Sequence, residues 1–240
     1  MEPIQKSSTS SIYDEGDNVR KVFNKNKKES FVVECKILDT LGDFPGIVKK
    51  ISTDPENLTI ILEKGEEDLF SIASFYDFKM EEFEVVRYIR DVCKGLRYCH
   101  SKGIVHNDVK MENVLIVNGV VKLIDFNLSF FEGDKSAIVM CGTKEYLAPE
   151  NIHRKKDSIV GTKVDSWAVG VMCYEMMNGG DLPFFGKDYT EIYRKILNDD
   201  FKFITKVSDQ CQNFVRRLLT KDIELRMSIE EALEHPWLSP

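Results

Sequence analysis

The stretch IVHNDVKMENVLI, residues 104–116, sets His106, Asp108, Lys110 and Asn113 within eight residues between apolar flanks. A buried strand tolerates few such groups, because each one loses its water and must find a partner. A solvated loop seldom has apolar runs on both sides. The stretch therefore reads as a polar loop held on a buried support, the usual setting of binding and catalytic residues. A lone His or Asp in such a place is more often a satisfied loop residue, so the reading depends on what surrounds it.

Downstream, residues 114–117 and 120–124 are two short β-rich runs split by Asn118-Gly119, a two-residue hairpin signal. Asp125-Phe126-Asn127 follows, then CGTKEYLAPE (141–150), DSWAVG (165–170), Arg226 and EHPWL (234–238). Between residues 81 and 100, Phe83, Val86, Ile89, Val92, Cys93, Leu96 and Cys99 recur at helical spacing, which predicts an amphipathic helix. Residues 165–177 are apolar almost all round, as in a buried helix. Two further amphipathic helices are expected over 207–219 and 228–234. Upstream, SFVVECKIL (30–38) and LTIIL (58–62) read as strands. The pattern predicts an α+β fold of two lobes: a small β-rich N-lobe over about 12–63 and a larger, mainly helical C-lobe over about 66–240. Residues 1–11 are polar and Ser/Thr-rich and are expected to be a disordered tail.

Composition narrows the class. The chain has 240 residues, 42% apolar and 30% charged, enough for a sizeable core without staples. The net charge of −7 argues against a nucleic-acid partner. Six scattered cysteines without a Cys-x-x-Cys pair read as reduced thiols of an intracellular protein, cytoplasmic or nuclear. No signal-peptide pattern opens the sequence and no apolar run approaches ~18 residues, so no membrane association is expected. The chain is expected to act as a monomer.

Several motifs in this order and spacing resemble the eukaryotic protein kinase family, nearest its serine/threonine branch. The resemblance is strong from about residue 66 onward and weak before it. EHPWL and Leu182-Pro183-Phe184 look most like the calcium/calmodulin-dependent and checkpoint-type branch. No calmodulin-binding tail follows Pro240, so calcium control is not expected. The resemblance implies transfer of the ATP γ-phosphate to a protein hydroxyl, with ATP and Mg²⁺ as cofactors and a protein as substrate. By resemblance Asp108 is the base that accepts the hydroxyl proton and Lys110 meets charge on the γ-phosphate. Asn113 and Asp125 match the metal ligands, supplying the hard oxygens Mg²⁺ prefers. Leu62 matches the gatekeeper, the backbones of Glu63 and Lys64 the adenine-binding hinge, and Asp68 a ribose or substrate contact. Glu150 is expected to pair with Arg226, Asp165 to hold the backbone of the 106–108 loop, Thr143 to touch Asp108, and His106 to stack on Phe126.

The N-terminal third departs from the family. Taking Val19 as the valine that follows the family's glycine-rich phosphate loop puts Ile12, Asp14 and Asp17 in its glycine slots. That would set acidic side chains against a triphosphate. Counting on from Val19 puts Glu34 in the slot of the strand-three lysine. Lys36, two residues on, is then the first candidate to contact ATP phosphates and Lys21 the second. Only eight residues separate Lys36 from Pro45, too few for a helix of ~10–14 residues. A full regulatory C-helix is therefore not expected. Asn107 replaces an arginine that in the family binds a phosphorylated activation-loop residue, a bidentate contact an amide cannot make. Activity is thus expected not to be gated by phosphorylation of that segment, where Ser136 is the nearest serine. Asn127 stands in the glycine slot of Asp-Phe-Gly, a position asparagine tolerates at positive φ. Two readings stay open: an active serine/threonine kinase, or a pseudokinase scaffold with weak or no ATP binding. The basic run at 153–156 could attract acidic substrate residues or be a solvated loop.

Overall fold

In the computed structural model residues 2–134, 142–152 and 161–239 are described; Cys141, Ser136 and the basic run 153–156 lie outside them. The chain begins as an antiparallel meander. Strands β1 (Gln5–Lys6), β2 (Ser10–Glu15) and β3 (Asn18–Phe23) are followed by helix α1 (Lys28–Leu41), then β4 (Lys50–Asp54) and β5 (Thr59–Glu63). The sheet order is β1-β2-β3-β5-β4, so α1 is inserted between strands that lie two apart. Residues 5–11 are therefore part of the sheet, not a disordered tail. Their Ser/Thr-rich composition suits an edge hairpin, where alternate side chains face water.

The largest correction concerns SFVVECKIL. Its valines favour a strand, but the segment lies inside the 14-residue α1. Phe31, Glu34, Leu38 and Leu41 recur every three or four residues and are buried, which is a helical stripe. Tertiary burial of that stripe outweighs a β preference worth at most ~1 kcal/mol per residue. Phe31 meets Phe23 of β3 edge to face, with ring centroids 5.6 Å apart. The C-helix expected to be missing is present in full, because it begins at Lys28, before the residues from which its length was counted.

The acidic stretch expected over the phosphates is an ordinary hairpin. Asp14, Gly16 and Asp17 belong to the β2–β3 turn: the register closes at Glu15↔Asn18 around Gly16-Asp17. Gly16 takes φ +77°, and Asp14 Oδ1 accepts from its N–H at 2.9 Å. Val19 is on β3, opposite Leu62 of β5, and Lys21 is opposite Ile60. Opposed and alternate residues share a sheet face, so Val19, Lys21, Ile60 and Leu62 all point the same way.

The second lobe starts with α2 (Leu69–Phe75) and the long α3 (Glu82–Ser101). A reciprocal capping box between Glu81 and Glu84 opens α3. Its buried stripe uses Val85, Ile89, Val92, Cys93, Leu96 and Cys99. Phe83, expected on that stripe, is 73% exposed. Strand β6 (Ile104–Val105) pairs with β9 (Phe130–Phe131), and β7 (Val114–Val117) forms the expected hairpin with β8 (Val120–Leu123). Both turn residues, Asn118 and Gly119, have positive φ. After α4 (Pro149–Ile152), helix α5 (Lys163–Met177) is buried from residue 164 to 177. It packs against α3, α7 (Asp209–Leu218) and α8 (Ile229–Leu233), while α6 (Tyr189–Asn198) lies against α4. A Cβ on Gly170 would lie 2.9 Å from the Leu218 Cβ, so α5 and α7 approach this closely only with glycine there. The two lobes are joined where Tyr98 of α3 stacks on Phe44 at 3.9 Å and donates its hydroxyl to Leu41 O at 2.6 Å. Among the described residues no helix is long and apolar enough to cross a membrane, and the five cysteines are free thiols.

Two buried ionic features hold the C-lobe. Arg226, with its side chain fully buried, grips Glu150 through both guanidinium nitrogens, at 2.6 and 2.8 Å. It also donates to Thr220 O and Lys163 O. Arg226→Leu should destabilise the protein by ~3–5 kcal/mol in urea unfolding, because the Glu150 carboxylate is left unpaired. Glu175 of α5 is 8% exposed and accepts a hydrogen bond from the Tyr146 hydroxyl. Burial raises its carboxyl to about 7, with Glu112 and Glu145 adding to the shift. A folded-state value above the unfolded one means a stabilising contribution that is complete below about pH 4.5 and lost as pH rises through about 7. Between pH 5 and pH 8 the wild type should therefore lose up to about 3 kcal/mol relative to Glu175→Gln. An equal stability difference at both pH values would exclude this.

Candidate functional site

The two lobes meet over a buried cluster of charge. The Lys21 ammonium lies 2.9 and 2.6 Å from the two carboxylate oxygens of Glu34 and 2.7 Å from Asp125 Oδ1. The Lys21 and Glu34 side chains are 3% and 0% exposed. Burial alone would lower the lysine, but Asp125 and Glu34 outweigh it and hold it charged, above its ordinary value. Burial likewise opposes ionisation of Asp125, yet Lys21 keeps that carboxyl below the usual range. For Glu34, desolvation prevails over the pull of Lys21 and raises the group to about 7. Lys21 is thus the buried lysine, the second candidate from sequence, and Glu34 is its partner rather than a misplaced lysine. Lys36, the first candidate, is on α1 with its ammonium 4.7 Å over the Phe131 ring and does not line the cavity. The helix turns residues 34 and 36 to different sides, whereas a strand would have kept them together.

Below this cluster the 106–113 loop is fixed from behind. Asp165 of α5, fully buried, accepts from the backbone N–H of His106 at 2.9 Å and of Asn107 at 2.8 Å. His100 donates to the same carboxylate at 2.8 Å. His106 packs against Phe126 with ring centroids 4.7 Å apart, tilted by 52° rather than stacked as expected, and its Nε2 donates to Ile124 O at 3.0 Å. Asn107 has φ +66°, a left-handed backbone that asparagine tolerates better than arginine would. These bonds aim Asp108 outward. Its Oδ1 accepts from the Thr143 N–H at 3.3 Å and its Oδ2 from the Asn113 amide at 2.9 Å. Lys110 bridges Asp108, at 3.3 Å, and the Thr143 hydroxyl, at 3.0 Å. Gly142, at φ +105°, leaves room for the Asp108 carboxylate; a Cβ there would come within 3.1 Å of Oδ1. The left-handed backbone expected at Asn127 sits instead at Asp125, φ +63° and ψ +69°. Asn127 lies in an ordinary 3₁₀ turn, so its lack of glycine freedom costs nothing.

Between the lobes lies a cavity of about 370 Å³, within the range of small-molecule sites. Val19, Leu62, Glu63, Lys64, Asp68, Asn113 and Asp125 all line it, as does Lys21. Of the sequence-predicted nucleotide and metal residues, only Lys36 is elsewhere. Gly65 passes so close to Leu115 that any Cβ would overlap it at 2.3 Å, which brings the 63–68 connection flat against β7. The Lys64 N–H already donates to Asp17 O at 3.2 Å, so as placed it is not the adenine donor. Asp68 caps α2 by accepting from Ser71 N and Oγ, both at 2.9 Å.

Sequence reasoning missed the roof. The cavity is covered by the β1–β2 hairpin, from which Ser7 and Ser10 face in. Ser7 Oγ accepts from the N–H groups of Thr9 and Ser10, both at 3.1 Å, and closes the turn without glycine. Asp14 pairs instead with Lys64 at 2.6 Å, at the mouth of the cavity. A hint was available: Val19-Arg20-Lys21 resembles the family's Ala-x-Lys, and counting back from there moves the phosphate loop upstream of residue 12, off the acidic turn.

The donor set suits Mg²⁺ and a nucleotide. Asn113 turns its amide nitrogen toward Asp108 O and Oδ2, at 2.8 and 2.9 Å, which directs its oxygen away from Asp108. Asp125 offers a carboxylate that is one-third exposed. Two hard oxygen ligands match an ion that keeps several waters and binds along with phosphate.

Residues 17–238 match the family model described as a protein kinase domain. The chain is 33% identical to smooth-muscle myosin light chain kinase of Gallus gallus over 91% of its length, covering 12% of that protein. It is 32% identical to myosin light chain kinase 2, skeletal/cardiac muscle, of Rattus norvegicus over 88% of its length, or 36% of that protein. Aurora kinase C of Mus musculus is 37% identical over 67% of the chain and 57% of its own length. The chain thus spans from about a tenth to somewhat over half of these relatives. With Lys21, Asp125 and Asn113 lining one cavity, and with these matches, the chain belongs to the protein kinase family and groups with its serine/threonine members.

Proposed function

We propose that the protein is a serine/threonine protein kinase that transfers the γ-phosphate of ATP to a protein hydroxyl, with Mg²⁺, and without gating by phosphorylation of its activation segment. The observation that carries this is the closed Lys21–Glu34–Asp125 cluster, on a cavity that Asn113 also lines, with Asn113 in turn bonded to Asp108 beside Lys110. Phosphoryl transfer asks mainly for positioning and charge neutralisation, and this arrangement supplies both.

Asp108, held by Thr143 and Asn113, accepts the proton of the substrate hydroxyl at its carboxylate. Lys110, bridging Asp108 and Thr143, presents positive charge beside that oxygen. Lys21, kept charged and immobile by Glu34, holds the nucleotide phosphates from above. Asp125 and Asn113 supply the oxygens for Mg²⁺, which when bound neutralises phosphate charge. Val19 and Leu62 enclose the apolar part of the nucleotide, with the 63–65 backbone along its edge. A protein substrate, a monomeric chain, no nucleic-acid or membrane partner, and a cytoplasmic or nuclear location complete the proposal. The acidic net charge supports the absence of a nucleic-acid partner, and the free thiols among the described residues support an intracellular location.

The pseudokinase reading keeps one specific support, the glycine-free roof, whose Ser8 and Thr9 side chains keep backbone amides farther from phosphates than glycine would. Its other supports fall away: the roof is not acidic, the lysine is in place and the helix is complete. Thermal unfolding with excess Mg-ATP separates the readings. At 100 times Kd the ligand should add ~2.7 kcal/mol in wild type. The gain should vanish in Asp125→Asn and in Lys21→Met, and persist in Lys36→Met. Asp108→Asn should keep the gain but lose phosphate transfer to a peptide. No wild-type shift at millimolar Mg-ATP would rule out the kinase reading. A shift with no transfer even by wild type would favour the scaffold.

A further inference from the structure

The Asp125 segment is tied to its surroundings at several points, all by side chains of this chain. The Asn107 amide donates to Leu128 O at 3.1 Å. Ser129 Oγ donates to His106 O at 2.9 Å, and the His106 ring donates to Ile124 O. Residues 106 and 107 thus bracket Asp125 from both sides. From the other lobe, Glu34 accepts from the Phe126 N–H, and the Lys36 ammonium rests on the Phe131 ring.

Such ties are needed, because Asp125 holds a left-handed backbone that a non-glycine residue keeps only when its surroundings over-determine it. Asn107 is well built for the task. Its own N–H is fixed by the fully buried Asp165, so its side chain reaches out from an immobile base. Its positive φ aims that side chain along the 126–128 turn. A longer, β-carbon-bearing side chain such as arginine adopts this backbone less readily than asparagine does.

We propose that Asn107 is a positioning residue: pinned by Asp165, its amide latches Leu128 and so fixes Asp125 beside Lys21 and Asn113, making the placement of Asp125 independent of phosphorylation. Ser129 and Lys36 are the supporting ties. The inference rests on the kinase reading above and deepens it: the residue absent from position 107 is replaced by a neutral latch, so the site is built assembled.

The test compares wild type with Asn107→Gly, which keeps the positive φ but removes the amide, and Asn107→Asp, which keeps the shape but offers only acceptors to the Leu128 carbonyl. Amide hydrogen exchange over residues 124–131 should quicken about tenfold in both variants, roughly what one such hydrogen bond is worth, while α5 and α7 stay protected. In phosphate transfer kcat should fall about tenfold, KM for the peptide should hold, and the Mg²⁺ concentration for half-maximal rate should rise. Phosphatase treatment of wild type should change neither readout. Unchanged exchange and unchanged Mg²⁺ dependence in Asn107→Gly would overturn the proposal, as would loss of wild-type transfer on phosphatase treatment. Should the Asn107 variants fail to fold, Ser129→Ala is measured instead, with the same expected direction and the same overturning result. If wild type transfers no phosphate, the kinase reading fails, and the exchange arm still decides whether the latch exists.

Discussion

The Lys21 ammonium is buried and cannot be solvated, and much of the structure answers to that constraint. Removing a charge of this size from water costs several kcal/mol unless oppositely charged groups surround it closely. Glu34 and Asp125 do so, at 2.6 and 2.7 Å, but they come from different parts of the chain. Glu34 reaches Lys21 only when α1 packs against β3, where Phe31 meets Phe23. Asp125 reaches it only when the turn after β8 lifts into the cavity. One buried cation therefore couples the sheet, the helix and the hairpin of the second lobe.

The second lobe meets this cluster with a different economy. There the charge is mostly behind the site: Asp165, deep in α5, gathers the His106 and Asn107 amides and the His100 ring. Burial works against the Asp165 carboxylate, yet its donors keep it ionised below the usual range. Because α5 is enclosed on all sides, Asp165 cannot shift, and neither can the loop it holds. The Asp108 carboxylate inherits this rigidity. Precision at the front of the site is bought by satisfied polar groups at the back.

The roof is the part least like the family. A serine turn replaces glycines, with the Ser7 hydroxyl supplying the hydrogen bonds that shape it. The acidic residues that seemed to face a phosphate lie one hairpin further on. Asp14 there accepts from the Gly16 N–H and pairs with Lys64, at the surface where such a pair contributes little to stability. Lys64 joins that pair with its ammonium and the β2–β3 turn with its N–H. The mouth of the cavity is thereby braced to the acidic β2–β3 turn.

How much of this was legible follows from how far apart the interacting residues lie. The lower half of the site is written locally: His106, Asp108, Lys110 and Asn113 share one loop, and Asn118-Gly119 sets the hairpin that brings Asp125 back. Short-range turn chemistry and motif spacing were enough to read it. Lys21 and Glu34 are 13 residues apart, and Lys21 and Asp125 are 104 apart. No local pattern links them. Their neighbourhood was further obscured by Val32 and Val33, whose β preference hid a helical stripe, and by a glycine in an ordinary hairpin that invited the wrong count. Sequence alone thus determined the family, the polar 106–113 loop, the hairpin that returns Asp125 and the buried α5. Tertiary structure decided which lysine is buried, that α1 is whole, that serines cover the cavity, and that Asn107 reaches Leu128. Those outcomes depend on which face of an element is buried and which distant carboxylate can neutralise a cation there, and that is settled only when the sheet, the helix and the second lobe pack together.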